Sequence, residues 1–155
     1  AGVARLHSLG MVPVLEERVL RRGTPILGIC LGMQLFAERS EEGESPGLGW
    51  IAGRCVRFAF AGGPNEPRVP HMGWNTIAVE RECPLLADLP SDPRFYFVHS
   101  YHLECVTSAD VLARTTYGIE FTAVVSRGHV LGTQFHPEKS LRWGMQVMRN
   151  FASRV

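Results

Sequence analysis

The residue with the clearest chemical potential in this chain is Cys30, which stands between Gly28 and Gly32 in the pattern G-x-C-x-G. This pattern is the cysteine version of the nucleophile elbow, a tight turn between a strand and a helix. The apolar run before Cys30 predicts a buried parallel strand, and residues 31–39 predict a helix whose N-terminus favours a thiolate. The N–H of Leu31 would remain free to stabilise an oxyanion. Cys30 is therefore either a nucleophile or a buried structural cysteine, the usual state of a free thiol.

A second segment with chemical potential contains His136 and Glu138 near the C-terminus. Because alternate residues of a strand share a face, Gln134, His136 and Glu138 are expected to point the same way, and Pro137 is expected to end the strand. His136 could serve as a base and Glu138 as the group that orients it. The alternative is an exposed His–Glu ion pair without a catalytic role, and for an isolated H-x-E pattern this alternative is the more common one. Because this H-x-E pattern occurs in the same small domain as the elbow of Cys30, we favour the catalytic role for His136 and Glu138.

The elements that must position these residues follow from hydrophobic periodicity and turn residues. Helices are predicted at 12–22, with Gly23 as the C-cap, and at 140–154, with Met145, Met148 and Phe151 on the apolar face. A helical turn is predicted at 84–89, and surface loops at 38–49 and 61–70. Strands are predicted at 26–29, 55–60, 76–79, 94–99, 111–113, 121–125 and 130–135. The pattern indicates an α/β protein whose second half is rich in strands.

The bulk composition excludes several classes of function. The 155 residues carry a formal charge of +1, which favours neither a nucleic-acid partner nor a membrane surface. The four cysteines lie far apart without a C-x-x-C pair, which argues against a zinc site. No secretory signal or membrane span is visible, so we expect a cytoplasmic protein with reduced thiols.

Four segments of the chain resemble the class I glutamine amidotransferases. They are G-I-C-L-G-M-Q at 28–34, P-H-M-G-W-N at 70–75, Y-F-V-H-S-Y at 96–101 and G-T-Q-F-H-P-E-K-S at 132–140. The first and last are shared by several amidotransferases, whereas P-H-M-G-W-N resembles a narrower group, the glutaminase subunits of imidazole glycerol phosphate synthase. The resemblance implies an α/β fold with a flavodoxin-like open sheet flanked by helices, and no cofactor or metal.

The resemblance also implies a function and roles for single residues. Glutamine would be hydrolysed to glutamate and ammonia, and the ammonia passed to a (β/α)₈-barrel cyclase/synthase subunit that makes imidazole glycerol phosphate and AICAR in histidine biosynthesis. Cys30 would attack the amide, His136 would move protons and Glu138 would hold His136. Residues implied to bind the substrate are Gln34, Leu31, Gly2, Val3, Val98, His99, Ser100 and Tyr101. Residues implied to meet the synthase subunit, which we expect in loops, are Met72, Trp74, Asn75 and Lys139.

Two of the residues in these segments have plainer explanations. Trp74 could be a core aromatic, and His71 could be a buried histidine with satisfied hydrogen bonds. These alternatives remain open from the sequence.

The N-terminal segment departs from the family pattern. Residues 1–4, Ala-Gly-Val-Ala, match only weakly the P-G-V-G segment whose backbone supplies part of the family's oxyanion hole. From the family pattern we expect on the order of 40–50 further residues before Ala1, allowing ~30 for one βαβ unit and the rest for part of another. We interpret residues 1–155 as one amidotransferase domain truncated at its N-terminus. The alternatives are a glutaminase domain serving anthranilate or guanylate synthesis, and a truncated non-catalytic interaction module.

Overall fold

The protein is described from a computed structural model, which covers residues 2–43 and 45–155. The helices are α1 (Gly2–Ser8), α2 (Met11–Leu15), which continues as a π-helix over Glu16–Arg21, α3 (Leu31–Leu35) and α4 (Leu141–Arg154). The strands are β1 (Ile26–Ile29), β2 (Arg39–Ser40), β3 (Gly53–Arg57), β4 (His71–Thr76), β5 (Ala78–Val79), β6 (Arg94–His99), β7 (Tyr101–Cys105), β8 (Val111–Tyr117), β9 (Ile119–Arg127) and β10 (Val130–Thr133). Short 3-10 turns cover Pro84–Leu86, Ser108–Asp110 and Pro137–Lys139. The α/β class and the strand-rich second half are confirmed.

The largest sheet has five strands in the order β1-β10-β9-β8-β5. Strands β1 and β10 run parallel, with Ile26 opposite Val130 and Ile29 opposite Thr133, and the other neighbours are antiparallel. Two smaller sheets have the orders β2-β3-β7 and β4-β6. Because parallel neighbours end at the same edge of a sheet, the residues after Ile29 and after Thr133 start side by side.

Strand β1 is less buried than its apolar sequence predicts. Gly28 is its only buried residue, while the other three are partly exposed. Among the residues that the structure covers, β1 pairs with β10 alone and forms the end of its sheet. Because no second strand among the described residues pairs with the other edge of β1, its side chains remain partly exposed. None of the described helices is long and apolar enough to cross a membrane.

Helix α3 is shorter than predicted, because the backbone after Leu35 bonds to a distant segment instead of continuing the helix. The carbonyls of Leu35, Phe36 and Ala37 accept hydrogen bonds from the amides of Leu48, Ile51 and Gly49 at 2.8, 2.9 and 3.1 Å. In a continued helix these three carbonyls would instead accept hydrogen bonds from the amides of residues 39–41. The predicted loop at 38–49 correspondingly contains β2, which pairs in parallel with β3.

The C-terminal helix and the strand at 71–76 also differ from the predictions. Helix α4 buries Gly144, Val147 and Asn150, whereas Met145 remains 56% exposed. Phe151 packs against the core as predicted and Met148 is half-buried, but Met145 was misplaced, because the buried stripe runs through a glycine and an asparagine. The strand predicted at 76–79 is present in part as β5, which pairs with β8. The sequence missed most of β4, which begins at His71 and pairs with β6 along its whole length.

Candidate active site

The turn at Cys30 has the geometry of a nucleophile elbow. Cys30 adopts φ 50° and ψ −104°, a positive φ that a non-glycine residue rarely takes. Its amide donates to the carbonyl of Thr133 at 2.7 Å, which fixes the turn against β10. A Cβ on Gly28 would lie 2.5 Å from the ring of Phe36, so this position requires glycine. Gly32 faces open space, so the steric explanation that the sequence suggested for both glycines holds for Gly28 alone.

The sulfur of Cys30 lies among polar groups of two other segments. The side-chain amide of Gln134 donates to the Cys30 sulfur at 3.7 Å, and the thiol lies 3.9 Å from the carbonyl oxygen of Val98. Gln134 is completely buried although it follows an apolar strand. It is a site residue that was not assigned from the sequence, and the signal was a glutamine inside the apolar stretch before His136.

Burial raises the pKa of the Cys30 thiol above its ordinary value, although the N–H of Leu31 and the amide of Gln134 lower it. The carboxylates of Glu138 and Glu42 raise it further. The expectation that a helix N-terminus lowers this pKa is therefore wrong for the free protein. Helix α3 has five residues, and its end does not compensate for the loss of water. The resting state is the thiol, and a base must take its proton.

His136 and Glu138 form the pair that could supply such a base. The Nδ1 atom of His136 lies 2.7 Å from Oε1 of Glu138, which leaves Nε2 of His136 free to exchange a proton. The two residues do not share a strand face as predicted, because β10 ends at Thr133 and Glu138 lies in a 3-10 turn. The predicted contact between them is nevertheless present.

Backbone and packing contacts hold this pair in place. The amide of His136 donates to the carbonyl of Tyr96 at 2.9 Å, and the hydroxyl of Ser140 donates to the carbonyl of His136 at 2.6 Å. Helix α4 approaches the same turn so closely that a Cβ on Gly144 would lie 1.8 Å from the carbonyl oxygen of Pro137. These contacts fix the His136–Glu138 segment at the end of β10, beside the elbow at the end of β1.

A cavity of about 240 Å³ opens next to the elbow. Four of the predicted substrate-binding residues line it, namely Gly2, Val3, Leu31 and Gln34. Glu42 lines it as well and was not assigned from the sequence. Gly2 and Val3 belong to the first turn of α1 rather than to an extended segment, and Ala1 lies outside the described residues.

The remaining predicted substrate-binding residues, Val98 to Tyr101, lie outside this cavity. They do not form a loop, because β6 ends at His99 and β7 begins at Tyr101. Val98 and Tyr101 present carbonyls to Cys30 and Gln34, whereas the carbonyl of Ser100 accepts from the amide of Phe58. The ring of His99 is buried away from solvent.

Of the four residues predicted to meet a partner, all but Asn75 are exposed, and all but Lys139 lie on a strand. Met72, Trp74 and Asn75 belong to β4, and Lys139 is exposed in the 3-10 turn beside Glu138. Met72 and Trp74 are 61% and 48% exposed, so Trp74 is not a core aromatic. His71 is 2% exposed and hydrogen-bonded, as the alternative for that residue predicted.

No group of three or more His, Cys, Asp or Glu side chains in residues 2–43 and 45–155 is arranged to hold a metal ion. The polar groups that contact the Cys30 sulfur, the amide of Gln134 and the carbonyl of Val98, are uncharged. The arrangement can carry out acyl transfer through a thiol, with a histidine that moves the proton.

Comparison with known proteins relates this geometry to a family. The family model for glutamine amidotransferase class-I matches residues 2–155. The chain is 46% identical over 155 residues to the imidazole glycerol phosphate synthase subunit HisH 2 of Pseudomonas aeruginosa, covering all of this chain and 75% of that protein. It is 46% identical over 149 residues to subunit HisH of Leptospira borgpetersenii, covering 96% of this chain and 73% of that one.

Solved structures agree on the fold. A crystal structure of a glutamine amidotransferase has a TM-score of 0.68 at 24% identity, covering 94% of this chain and 68% of that one. A GMP synthase protein of Thermoplasma acidophilum has a TM-score of 0.63 at 20% identity, with 92% of this chain and 63% of that one covered. The resemblance inferred from the four motifs is thereby confirmed, and the chain belongs to the class I glutamine amidotransferase family.

Proposed function

We propose that this chain is the glutaminase subunit of an imidazole glycerol phosphate synthase and hydrolyses glutamine to glutamate and ammonia. One observation carries the proposal. The strained elbow of Cys30 and the hydrogen-bonded His136–Glu138 pair follow two neighbouring parallel strands, β1 and β10, at the same edge of the sheet. The 46% identity to HisH subunits over the whole chain supports the histidine pathway. The weaker likeness to a GMP synthase protein supports the fold alone.

The proposed reaction proceeds by acyl transfer. The His136 imidazole takes the Cys30 proton as the sulfur attacks the side-chain amide carbon of glutamine, and the carbonyl oxygen becomes an oxyanion. The N–H of Leu31 stabilises that oxyanion. His136 returns the proton to the leaving nitrogen, ammonia departs and a thioester remains. Water then attacks the thioester with His136 as base, releasing glutamate and restoring the thiol.

Substrate binding is assigned to the cavity beside the elbow. Glu42 supplies a carboxylate for the α-amino group of glutamine. Gln34 can only accept a hydrogen bond from the substrate through its side-chain oxygen, because both of its amide hydrogens already bond to Tyr101 and Gln134. We assign Gly2 and Val3 to the same cavity as candidate donors from the first turn of α1, whose amides lack intrahelical partners. The backbone carbonyls of Val98 and Tyr101 lie behind this cavity, next to Cys30 and Gln34 respectively.

We propose that a (β/α)₈-barrel synthase subunit covers the surface formed by Met72, Trp74, Asn75 and Lys139. Two exposed large apolar side chains beside a lysine have the composition of an interface core with a charged rim. The surface adjoins the catalytic turn, because Lys139 follows Glu138 directly. Ammonia released at Cys30 would then enter the partner without crossing bulk water.

We further infer that residues 1–155 act as one domain in the cytoplasm. The family model spans residues 2–155, and a thiol nucleophile needs a reducing compartment, which suits the four free cysteines.

Genetic complementation tests the pathway. A bacterial strain that lacks both synthase subunits is supplied with the full-length version of this protein together with the cognate barrel subunit. We expect growth without histidine, and no growth when Cys30 is changed to alanine. Rescue of a strain lacking the amidotransferase for anthranilate or guanylate, without rescue for histidine, would assign the protein to another pathway. Growth with the alanine variant would support a non-catalytic module.

Replacing Glu138 by glutamine tests the orienting role. Glu138→Gln keeps an acceptor for Nδ1 of His136 but removes the negative charge that stabilises the imidazolium. We expect kcat to fall by about 10²-fold with an unchanged KM, less than on loss of the nucleophile. Glu80→Gln is a matched control, because Glu80 also makes a 2.7 Å bond and is similarly exposed. Equal kcat values for the two variants would contradict the role of Glu138.

A further inference from the structure

Two buried histidines, His71 and His99, take no part in the proposed reaction. They are 2% and 6% exposed, and Nδ1 of His71 lies 3.1 Å from Nε2 of His99. Both rings pack among aromatic side chains, with His71 stacked on Tyr117 at 4.0 Å and His99 lying 5.2 Å from Phe121. Burying imidazoles in such surroundings is costly unless every ring nitrogen finds a partner, so their partners matter.

One tautomer satisfies all four ring nitrogens. The amide of Asn75 lies 3.5 Å from Nε2 of His71 and donates to the carbonyl of Thr116 at 2.8 Å. If Nδ1 of each histidine carries the proton, His71 donates to His99, and His99 donates to the carbonyl of Tyr101 at 2.8 Å. Burial lowers the pKa of His71 to about 4 and that of His99 to about 3, so both rings are neutral at physiological pH.

The hydrogen bonds continue from Tyr101 to the nucleophile. The side-chain amide of Gln34 donates to the carbonyl of Tyr101 at 2.9 Å and to Oε1 of Gln134 at 3.1 Å. Because Gln34 occupies Oε1 of Gln134, the NH₂ group of Gln134 is the end that faces the Cys30 sulfur at 3.7 Å. The direction of every donor is therefore fixed from strand β4 to the sulfur.

We propose that His71 and His99 are positioning residues that hold this polar chain in register and so fix the N–H contact on the Cys30 sulfur. The members of the polar chain, in order, are Asn75, His71, His99, the carbonyl of Tyr101, Gln34 and Gln134. This inference rests on the proposed glutaminase function, which gives Cys30 its role as the nucleophile. Strand β4, which carries the exposed Trp74 next to Asn75, is thereby connected to the nucleophile.

The chemical consequence concerns the thiolate. When His136 removes the proton, the Gln134 N–H stabilises the sulfur anion, which burial and the carboxylates of Glu138 and Glu42 oppose. Without His99, the Tyr101 carbonyl loses one of its two side-chain donors. The carbonyl can then shift together with the Gln34 amide that donates to it, and Gln134 can turn away from Cys30. A hydrogen bond to a charged group is stronger than one to a neutral group. Losing the Gln134 contact therefore destabilises the Cys30 thiolate more than the thiol.

The test is the pH dependence of iodoacetamide alkylation at Cys30, followed by mass spectrometry of the Cys30 peptide in the full-length protein. His99→Leu should raise the alkylation midpoint by about one pH unit, a roughly tenfold loss of thiolate at lower pH. It should also lower the glutaminase kcat about tenfold, with KM nearly unchanged. His99→Asn keeps a donor for the Tyr101 carbonyl and should restore both values to within about twofold of wild type. Glu42, Glu138 and His136 are unchanged in every variant.

His102 provides the matched control. It is 4% exposed, and its ring lies 4.7 Å from Phe58 and 5.7 Å from Phe121, the aromatics that also surround His99. Its Nδ1 has no partner among the described residues, so it is not part of the polar chain. His102→Leu should leave the midpoint unchanged. An equal shift in His102→Leu and His99→Leu would mean a general packing effect and overturn the proposal.

Circular dichroism identifies variants that do not fold. If His99→Leu unfolds, Asn75→Ala takes its place, because it alters the partly exposed end of the polar chain. Asn75→Ala should also raise the alkylation midpoint, but by less than about one pH unit. An unchanged midpoint in a folded His99→Leu protein, or in Asn75→Ala where His99→Leu unfolds, would overturn the proposal. Alkylation needs no glutamine hydrolysis, so a shift in an inactive protein would refute the glutaminase alone. Hydrolysis without a shift would refute the positioning role alone.

Discussion

Changing Cys30 to alanine or serine is expected to reduce glutamine hydrolysis by about 10⁴-fold or more, because no thioester can form. A glutamine-like chloroketone should label Cys30 and no other cysteine. The structure gives the reason, since the elbow holds the sulfur beside the amide of Gln134, and the next residue, Leu31, lines the proposed substrate cavity. Steady-state glutamate release and peptide mapping of the labelled protein measure the two effects.

Cys83 is the sharpest control for this prediction. Like Cys30 it is half-buried, it precedes a short helical turn, and its sulfur is influenced by the N–H groups of Leu86 and Leu85. Cys83 differs from Cys30 in its backbone, because it is extended at φ −152° and lacks the elbow, which the sequence predicted for Cys30 alone. Burial raises the pKa of both thiols, so pKa alone does not separate them. Cys83→Ala should retain full activity, and labelling of Cys83 with Cys30 untouched would refute the assignment.

The full-length protein is expected to be nearly silent alone and to hydrolyse glutamine about 10²–10³-fold faster with a ligand-loaded barrel synthase subunit. This range is the rate effect of one oxyanion donor. Leu31 supplies one N–H next to Cys30, and Gly2 and Val3 line the same cavity from the first turn of α1. We expect the partner, with its nucleotide ligand bound, to move that turn so that a second N–H meets the oxyanion. Turnover of glutamine with and without the partner measures the effect, and equal rates would reject the coupling.

The same complex tests the proposed contact surface. Replacing Trp74 and Lys139 together by alanine should weaken binding by about 30-fold or more, the loss expected when an aromatic hot spot is truncated. Leu20 and Arg21, which are exposed on the π-helical continuation of α2, provide a control pair whose replacement should not alter Kd. Unchanged Kd in the Trp74 and Lys139 variant would place the interface elsewhere.

The sequence alone determined the parts of this protein that depend on neighbouring residues. Strand β1, strand β6 and the elbow of Cys30 lie where periodicity and glycine spacing predicted them, because a strand and a tight turn depend on residues a few positions apart. The His136–Glu138 contact was also predicted from residues two positions apart, although it forms through a 3-10 turn and not through a shared strand face. Family membership followed from four short motifs.

The tertiary structure decided what depends on residues far apart in the chain. Gln34 and Gln134 are separated by a hundred positions, and their contact exists because β1 and β10 end at the same edge of the sheet. The end of α3 at Leu35 depends on amides beyond residue 47, and the raised pKa of Cys30 depends on the atoms that exclude water from it. Burial and long-range hydrogen bonds arise only when distant segments pack together, so no local pattern in the sequence contains them.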